Sequence, residues 1–372
     1  MVIKMTQLAR RRFCQSVLGL AGLSILPSCS LQREQQFVSA YSNTDGQHFV
    51  AVFNQSGEVF SEVEIPLRGH DIAISHKEPF RVIAFSRRPG AYLYDIDLNK
   101  GVIKQTIKAN DGRHFFGHGV FSPDGQYLFT TENDYHNQQG KVVVRDAQSL
   151  AVIKEFNSGG VGPHQLAWLN DGKTLVIANG GIATHPDTPR EKLNVLTMAP
   201  NLTYLQSESG TILQQFYPPH HQLSIRHLAV DRRNKVIIAM QYQGPKSDLH
   251  PLVYSQQGDG PMVACTASDL LWQQMHQYTA SVCIDDAVNV AAVSCPRSGF
   301  VSFWDLRTDR LIDTFQIRDC AGVTLSKDGF LLSNGKGEIA CIDPFLETAS
   351  SKMQLTGYKW DNHMQSLKES LF

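Results

Sequence analysis

Four histidines of this chain stand at one place in four similar segments: His70 in RGHDIAIS, His118 in FGHGVFSPDG, His164 in GPHQLAWLNDG and His227 in SIRHLAVDRR. Each precedes an apolar run that reads as a strand entering a core. A neutral imidazole is the commonest transition-metal ligand, suiting iron, copper, zinc or nickel, and its titration near neutral pH also suits it to acid-base work. Ligands drawn from separate strands leave no spacing signature. The chain contains no CxxC pair, phosphate loop or nucleophile motif that would point to another chemistry.

A structural role competes for each histidine. In WD-type blades a Gly-His pair at such a strand entry bonds a Ser or Asp of its own blade, and Gly69-His70 with Asp71 beside it fits that staple. His118, His164 and His227 lack the matching Trp-Asp, and glycines flank His118 as if backbone had to approach something closely. These three are therefore the expected metal ligands.

The elements that must position them are short strands. After His118, an apolar run, the turn Ser122-Pro123-Asp124-Gly125 and a second run make a hairpin; Asp171-Gly172 and Asp328-Gly329 supply the same turn chemistry. Similar units begin near Phe37, His70, His118, His164, His227, Ser281 and Gly322, mostly about 40 to 55 residues apart. No long amphipathic helix interrupts them. Such a period predicts an all-β fold, a seven-bladed β-propeller whose chain ends meet in one blade. Trp304-Asp305 matches the WD dipeptide once.

In a propeller the entry of each innermost strand and the loop after the second strand open on one face. That geometry gathers Glu132, Asn179, Gly180, Gly181, His185, Gln241 and Gln243 around the histidines, with Arg226 beside His227, as a ligand-binding shell. Residues 181 to 222, about 40 positions containing THPDTPREKLNVLTMAPNLTYL, exceed what a blade needs. Their apolar content predicts an ordered cover over one side of the channel mouth, with outer strands displaced to Tyr204–Phe216.

Residues 1–29 read as an export signal ahead of a single propeller domain at 30–372. Lys4 and Arg10-Arg11-Arg12 precede an apolar stretch, Val17 to Leu26, too short for the ~20 residues of a membrane-spanning helix. Arg10, Arg11 and Phe13 have twin-arginine spacing, against an ordinary secretory signal as the alternative. Leu26-Pro27-Ser28-Cys29 is lipobox-like, so Cys29 is a candidate lipid anchor, the only membrane contact expected; Ser28-Cys29-Ser30 is alternatively a cleavage site. Both readings place the mature protein in the periplasm. Removing residues 1–29 takes four of 34 basic residues and no acidic one, leaving 30 against 35 and a net charge of −5, which argues against a nucleic-acid partner. Cys265, Cys283, Cys295, Cys320 and Cys341 read as small core residues of strands.

The blocks GHGVFSPDGQYLFTTEND, VGPHQLAWLNDGKTLVIANGGIATHPD, REKLNVLTMAPNLTYL, LSIRHLAVD, AMQYQG and KWDNHM, in this order, resemble the bacterial domain-of-unknown-function family 1513. The resemblance implies an exported propeller similar to the quinoprotein amine dehydrogenase heavy chain. It also implies a setting beside imelysin-type iron-regulated proteins, which become candidate partners, and a dihaem-peroxidase-like protein. It adds Arg190, Asn362 and His363 to the ligand-binding shell and leaves the chemistry unassigned. Three functions stay open. One is a periplasmic module binding a metal, iron or copper, or a small ligand. The others are a propeller enzyme, oxidoreductase or hydrolase, using histidine with Glu132 or Asp134, and an interaction platform with structural histidines.

Overall fold

The Asp-Gly turns close as expected. Tyr127 O accepts the Ser122 N–H at 2.8 Å while the Asp124 carboxylate accepts the Gln126 N–H at 3.0 Å. Asp171 likewise accepts the Lys173 and Thr174 N–H groups. The computed structural model describes residues 34–367 apart from Pro89, Pro189, Arg190 and Glu347, and the twin-arginine stretch and Cys29 lie outside these residues. Its strands pair into seven antiparallel four-stranded sheets. Blades one to six are built in chain order outward from the innermost strands Gly69–Ile74, Arg113–Phe121, Pro163–Trp168, Leu223–Val230, Val282–Asp285 and Cys320–Ser326.

Blade seven departs from the sequence reading. The strand containing Phe37, Gln36–Ser42, is its second strand, and the innermost strand is Lys359–Leu367 from the other end of the chain. The two ends thus meet within one sheet, and each innermost strand packs against the next until the seventh returns to the first. Each innermost strand is the edge of its own sheet, and the closed ring shelters these short edges within the channel.

Burial follows from position in the blade. Second strands such as Arg81–Ser86 and Thr174–Asn179 are buried at every residue, whereas the outermost strand Val102–Lys108 alternates exposed and half-buried. The core lies between blades: Ile83, Phe85 and Leu93 of blade one pack with Phe115, Phe121 and Leu128 of blade two. Each fully buried side chain of this kind contributes roughly 1.5–3 kcal/mol. Trp304 is fully buried, donates to Ser302 Oγ at 3.0 Å and stacks on Trp272 of the short helix Asp269–Gln274. Cys265, Cys295, Cys320 and Cys341 are buried and Cys283 half-buried, all as free thiols.

Within residues 181 to 222, Asn201–Gln206 and Ile212–Phe216 form the outer half of blade three, so the segment outside the sheet is 180–200. Asn194 orders it, its side chain accepting the Ala183 N–H and donating to Gly181 O. Among the described residues no helix is long and apolar enough to cross a membrane.

Candidate metal centre

At the entry of the innermost strands the pairing register shifts in six blades: between Gly69 and Ile72, Phe115 and Gly119, Pro163 and Gln165, Ile225 and His227, Cys320 and Gly322, and opposite Ser39 and Tyr41 in blade seven. Extra residues at such bulges leave the ladder and re-aim their side chains. Five imidazoles gather there. The ring centroid of His118 lies 4.9 Å from His70, 4.9 Å from His164, 5.5 Å from His227 and 4.7 Å from His363.

The glycines around His118 make this packing possible. A Cβ at Gly117, whose φ is +98°, would collide with the His70 ring, and one at Gly119 would stand 2.5 Å from Phe85 Cζ. Gly117 therefore lets two imidazoles from adjacent blades come together, and Gly119 lets the strand settle on the inter-blade core.

Hydrogen bonding fixes which nitrogens face the cluster. Asp71 Oδ2, on blade one, is 2.9 Å from His118 Nδ1 on blade two. A carboxylate only accepts, so Nδ1 carries the proton and Nε2 keeps its lone pair. Ser281 of blade five donates its single hydroxyl proton to Asn362 O at 2.6 Å, so the 3.1 Å contact with His363 Nδ1 is a bond that Nδ1–H donates. His363 Nε2 is thereby also bare. His118 Nε2, His363 Nε2 and the Nδ1 atoms of His70, His164 and His227 are buried without a hydrogen-bond partner. The expected staple of His70 to Asp71 is not made: Asp71 holds His118, and His70 joins the cluster.

Burial and then the neighbouring imidazoles hold His70, His164 and His227 well below the ordinary histidine range; burial, then His118, brings His363 down to about 4. Burial opposes ionisation of Asp71, but His118 and His363 hold its carboxyl far below the usual range. His70, His164, His227 and His363 are thus neutral imidazoles at neutral pH, the form a metal requires, and Asp71 stands as a carboxylate behind His118. Two triads, His70-His118-His164 and His118-His227-His363, each keep their ligand atoms within 4.8 Å of one another. Ligand nitrogens around a tetrahedral metal stand about 3.4 Å apart, so either triad would draw together on binding an ion. An all-nitrogen donor set fits transition metals, not calcium or magnesium, which take oxygen ligands.

The remaining shell residues divide. Arg226, the extra residue of the bulge before His227, is buried with its Nε unpartnered; burial and then Arg88 bring its pKa down to about 9, leaving it charged at pH 7. Asn362 supplies the carbonyl that orients Ser281. Gln241 donates to Thr279 O, and Gln243 donates to Gln241 O and lines a cavity of about 830 Å³ with Lys192, His250, His276 and Arg297, none of the five clustered histidines among its walls. Other residues serve the scaffold. Asn179 is spent on Ser158, Asn201 and Thr203; the Gly180 and Gly181 N–H groups donate to Gly162 O and Val161 O; Glu132 pairs with Arg145 at 2.7 Å inside blade two. Asp134 accepts from Asn137. His185 sits against Tyr135, 4.8 Å between ring centroids, in a separate cavity with Asn133. Arg190 lies outside the described residues.

Sequence reasoning left out two members of the cluster. His70 was given to the staple, and His363 was placed in the shell by resemblance, although the closing strand gives it the same position as the other four. The histidine in KWDNHM at the C-terminus was the available signal, once blade closure by the chain ends is taken seriously.

The fold and this cluster define a seven-bladed β-propeller with a histidine-ringed channel. Residues 63–367 match the family described as protein of unknown function (DUF1513), and the chain belongs to that family. No curated protein matches it. Among solved structures it is similar to Kuenenia stuttgartiensis hydrazine synthase, with a TM-score of 0.60 and 13% identity over 85% of this chain and 94% of that one. At that identity the likeness is one of fold.

Proposed function

We propose that this protein is an exported propeller that holds a transition metal, iron or copper, in the histidine cluster of its channel. The observation that carries this is the set of five buried imidazole nitrogens without partners. Each such group is costly to bury unsatisfied, by roughly 1–3 kcal/mol, and a metal held by one of the two triads that share His118 would relieve that cost. Two of the rings are held in the ligating tautomer by Asp71 and Ser281, partners on other blades, which is how metal-ligating histidines are usually oriented. A bound metal would supply Lewis-acid or one-electron chemistry there. Acid-base catalysis by Glu132 is weakened by its pairing with Arg145. The basic and apolar series of residues 1–29 supports export by the twin-arginine route, with Cys29 as lipid anchor, and the family resemblance supports a place in iron physiology beside imelysin-type partners.

Elemental analysis of protein purified from the periplasmic and membrane fractions of its native host tests the reading. About one iron or copper per chain is expected, and His118→Ala with His227→Ala should remove it while the circular dichroism of the β-fold persists. Metal-free protein that takes up none of Fe(II), Cu(II) or Cu(I) on titration sinks the proposal.

A further inference from the structure

Buried arginines elsewhere in this chain are neutralised. Arg81 forms a two-pronged pair with Asp95 at 2.8 and 2.9 Å, and Arg145 pairs with Glu132. Arg226 is as buried, at 5% exposure, yet among the described residues no carboxylate pairs with it. Its Nε has no partner, and neither has NH1 of half-buried Arg88. Arg88 comes from the loop after the second strand of blade one and Arg226 from the bulge of blade four. Lys192, from the 180–200 segment, feels the charges of Arg226, Arg297 and Arg88, and Arg297 covers the Tyr278 ring at 4.1 Å. Lys192 and Arg297 also line the 830 Å³ cavity. Four cations from four blades therefore feel one another's charge, Arg226 beside His227 at the cluster and Lys192 and Arg297 in the neighbouring cavity. Among the described residues none of the four is in an ion pair, and Asp248 of the cavity wall is bonded to Tyr242. Arg87, next in the chain to Arg88, is by contrast balanced by Asp361 at 3.5 Å. Arg226 is buried and Arg88 half-buried, whereas Lys192 and Arg297 are exposed; the charge of Arg226, held out of water without a counter-ion, is the one an anion would stabilise most.

We propose that Arg226, Arg88, Lys192 and Arg297 form a receptor for a small oxyanion, a carboxylate or phosphate, at the channel mouth beside the histidine cluster. Guanidinium groups recognise planar oxyanions through paired N–H donors, and Arg226 has such donors free in a buried setting. The receptor is a site separate from the metal proposed above and does not require it. The two would cooperate, because neutral imidazoles leave a bound metal's charge uncompensated. Among the described residues Asp71 is the one carboxylate that faces the cluster without an arginine partner, Asp361 being shared with Arg68 and Arg87.

The test is calorimetric titration of chelator-stripped full-length protein with citrate and with inorganic phosphate at constant ionic strength, chloride serving as control. Saturable binding of citrate or phosphate at one site per chain is expected, with chloride inert. Stronger citrate binding would assign a carboxylate ligand, and stronger phosphate binding a phosphoryl one. Arg226→Gln and Arg88→Gln should each weaken binding at least tenfold, while His118→Ala leaves it within about twofold. Arg88 is half-exposed, so its variant keeps the test decisive if Arg226→Gln fails to fold. Binding unchanged in Arg88→Gln, or absent from the stripped wild type, overturns the proposal. Loss of metal uptake with oxyanion binding retained would overturn the metal reading and leave this one standing.

Discussion

Asp71 acts on the cluster through His118 and touches no other clustered ring by hydrogen bond. Its carboxylate fixes the Nδ1–H tautomer and accepts a second bond from Gln365 Nε2 at 3.2 Å. Replacing such an outer partner usually costs 10–100-fold in metal affinity. Asp71→Asn should therefore weaken metal binding by about that factor in a chelator competition, with the fold intact; an unchanged affinity would show that packing alone orients His118. His114 makes a different prediction, away from the cluster. Its Nδ1 faces Phe115 O at 2.9 Å and its Nε2 faces the Asn133 amide at 3.0 Å, an arrangement that needs a neutral ring. Burial lowers its pKa to about 4. Above the unfolded value near 6.5 neither state is protonated and His114 adds no pH dependence. As pH falls from 6.5 towards 4 the unfolded chain binds a proton that the folded one refuses, so stability is lost through that window. At about 1.36 kcal/mol per unit, the loss by pH 4.5 is roughly 2–3 kcal/mol from this residue. Urea unfolding of metal-free protein at pH 7 and 4.5 should show a fall smaller by that amount in His114→Gln than in wild type.

The bulges decide what the strands can present. Regular alternation would send successive side chains to opposite faces of a blade, whereas two extra residues in blade two, between Phe115 and Gly119, bring His118 to the channel. Gly117→Ala should therefore act on metal binding more than on the fold. The added methyl strains a backbone at +98° and pushes on the His70 ring. We expect a fall of about 1–3 kcal/mol in stability and a loss of metal affinity of tenfold or more, measured by unfolding and by competition titration; a variant that loses stability but binds metal normally would place His70 outside the site. Here the limit of sequence reading is visible. The Asp-Gly turns and apolar runs were legible because turn chemistry and strand length are local properties. That His118, His164 and His227 share one strand position was legible too. The direction of each side chain was not, since it depends on bulges formed against a partner strand. Asp71 looked like the natural staple for His70 by adjacency, but the bulge carries it to His118. Glu132 looked available because Arg145, its ion-pair partner on the neighbouring strand, stands opposite Leu128 in the register and reaches Glu132 only through its long side chain. Blade seven was misread at Phe37 because its innermost strand arrives from the opposite terminus.

At the scale of the whole molecule the cluster joins blades that otherwise touch only their neighbours. Imidazoles come from blades one, two, three, four and seven, while blades five and six bring Ser281 and the small Ala321 and Gly322 to the equivalent place. A metal bound there is a tie at the axis of a ring whose other closure is the pairing of Gln36–Ser42 with Lys359–Leu367. Since the unfolded chain cannot assemble ligands from such distant positions, an ion held by these histidines would bind only the folded state and its binding energy would add to folding. A ligand at 100 times its Kd stabilises by about 2.7 kcal/mol, and at 1,000 times by about 4.1 kcal/mol. Thermal unfolding of stripped protein should accordingly shift upward with added Cu(II) or Fe(II) as one transition, because the tie spans most blades at once. His164→Ala is the informative control: the ring is half-buried and its Nδ1 has no partner, so its loss should change the metal-free midpoint little. The same variant should lose a substantial part of the metal-induced shift. A shift of equal size in wild type and in a His164→Ala, His227→Ala double variant would mean that the metal binds elsewhere, with the His-rich patch of His220, His221 and His250 the first place to look.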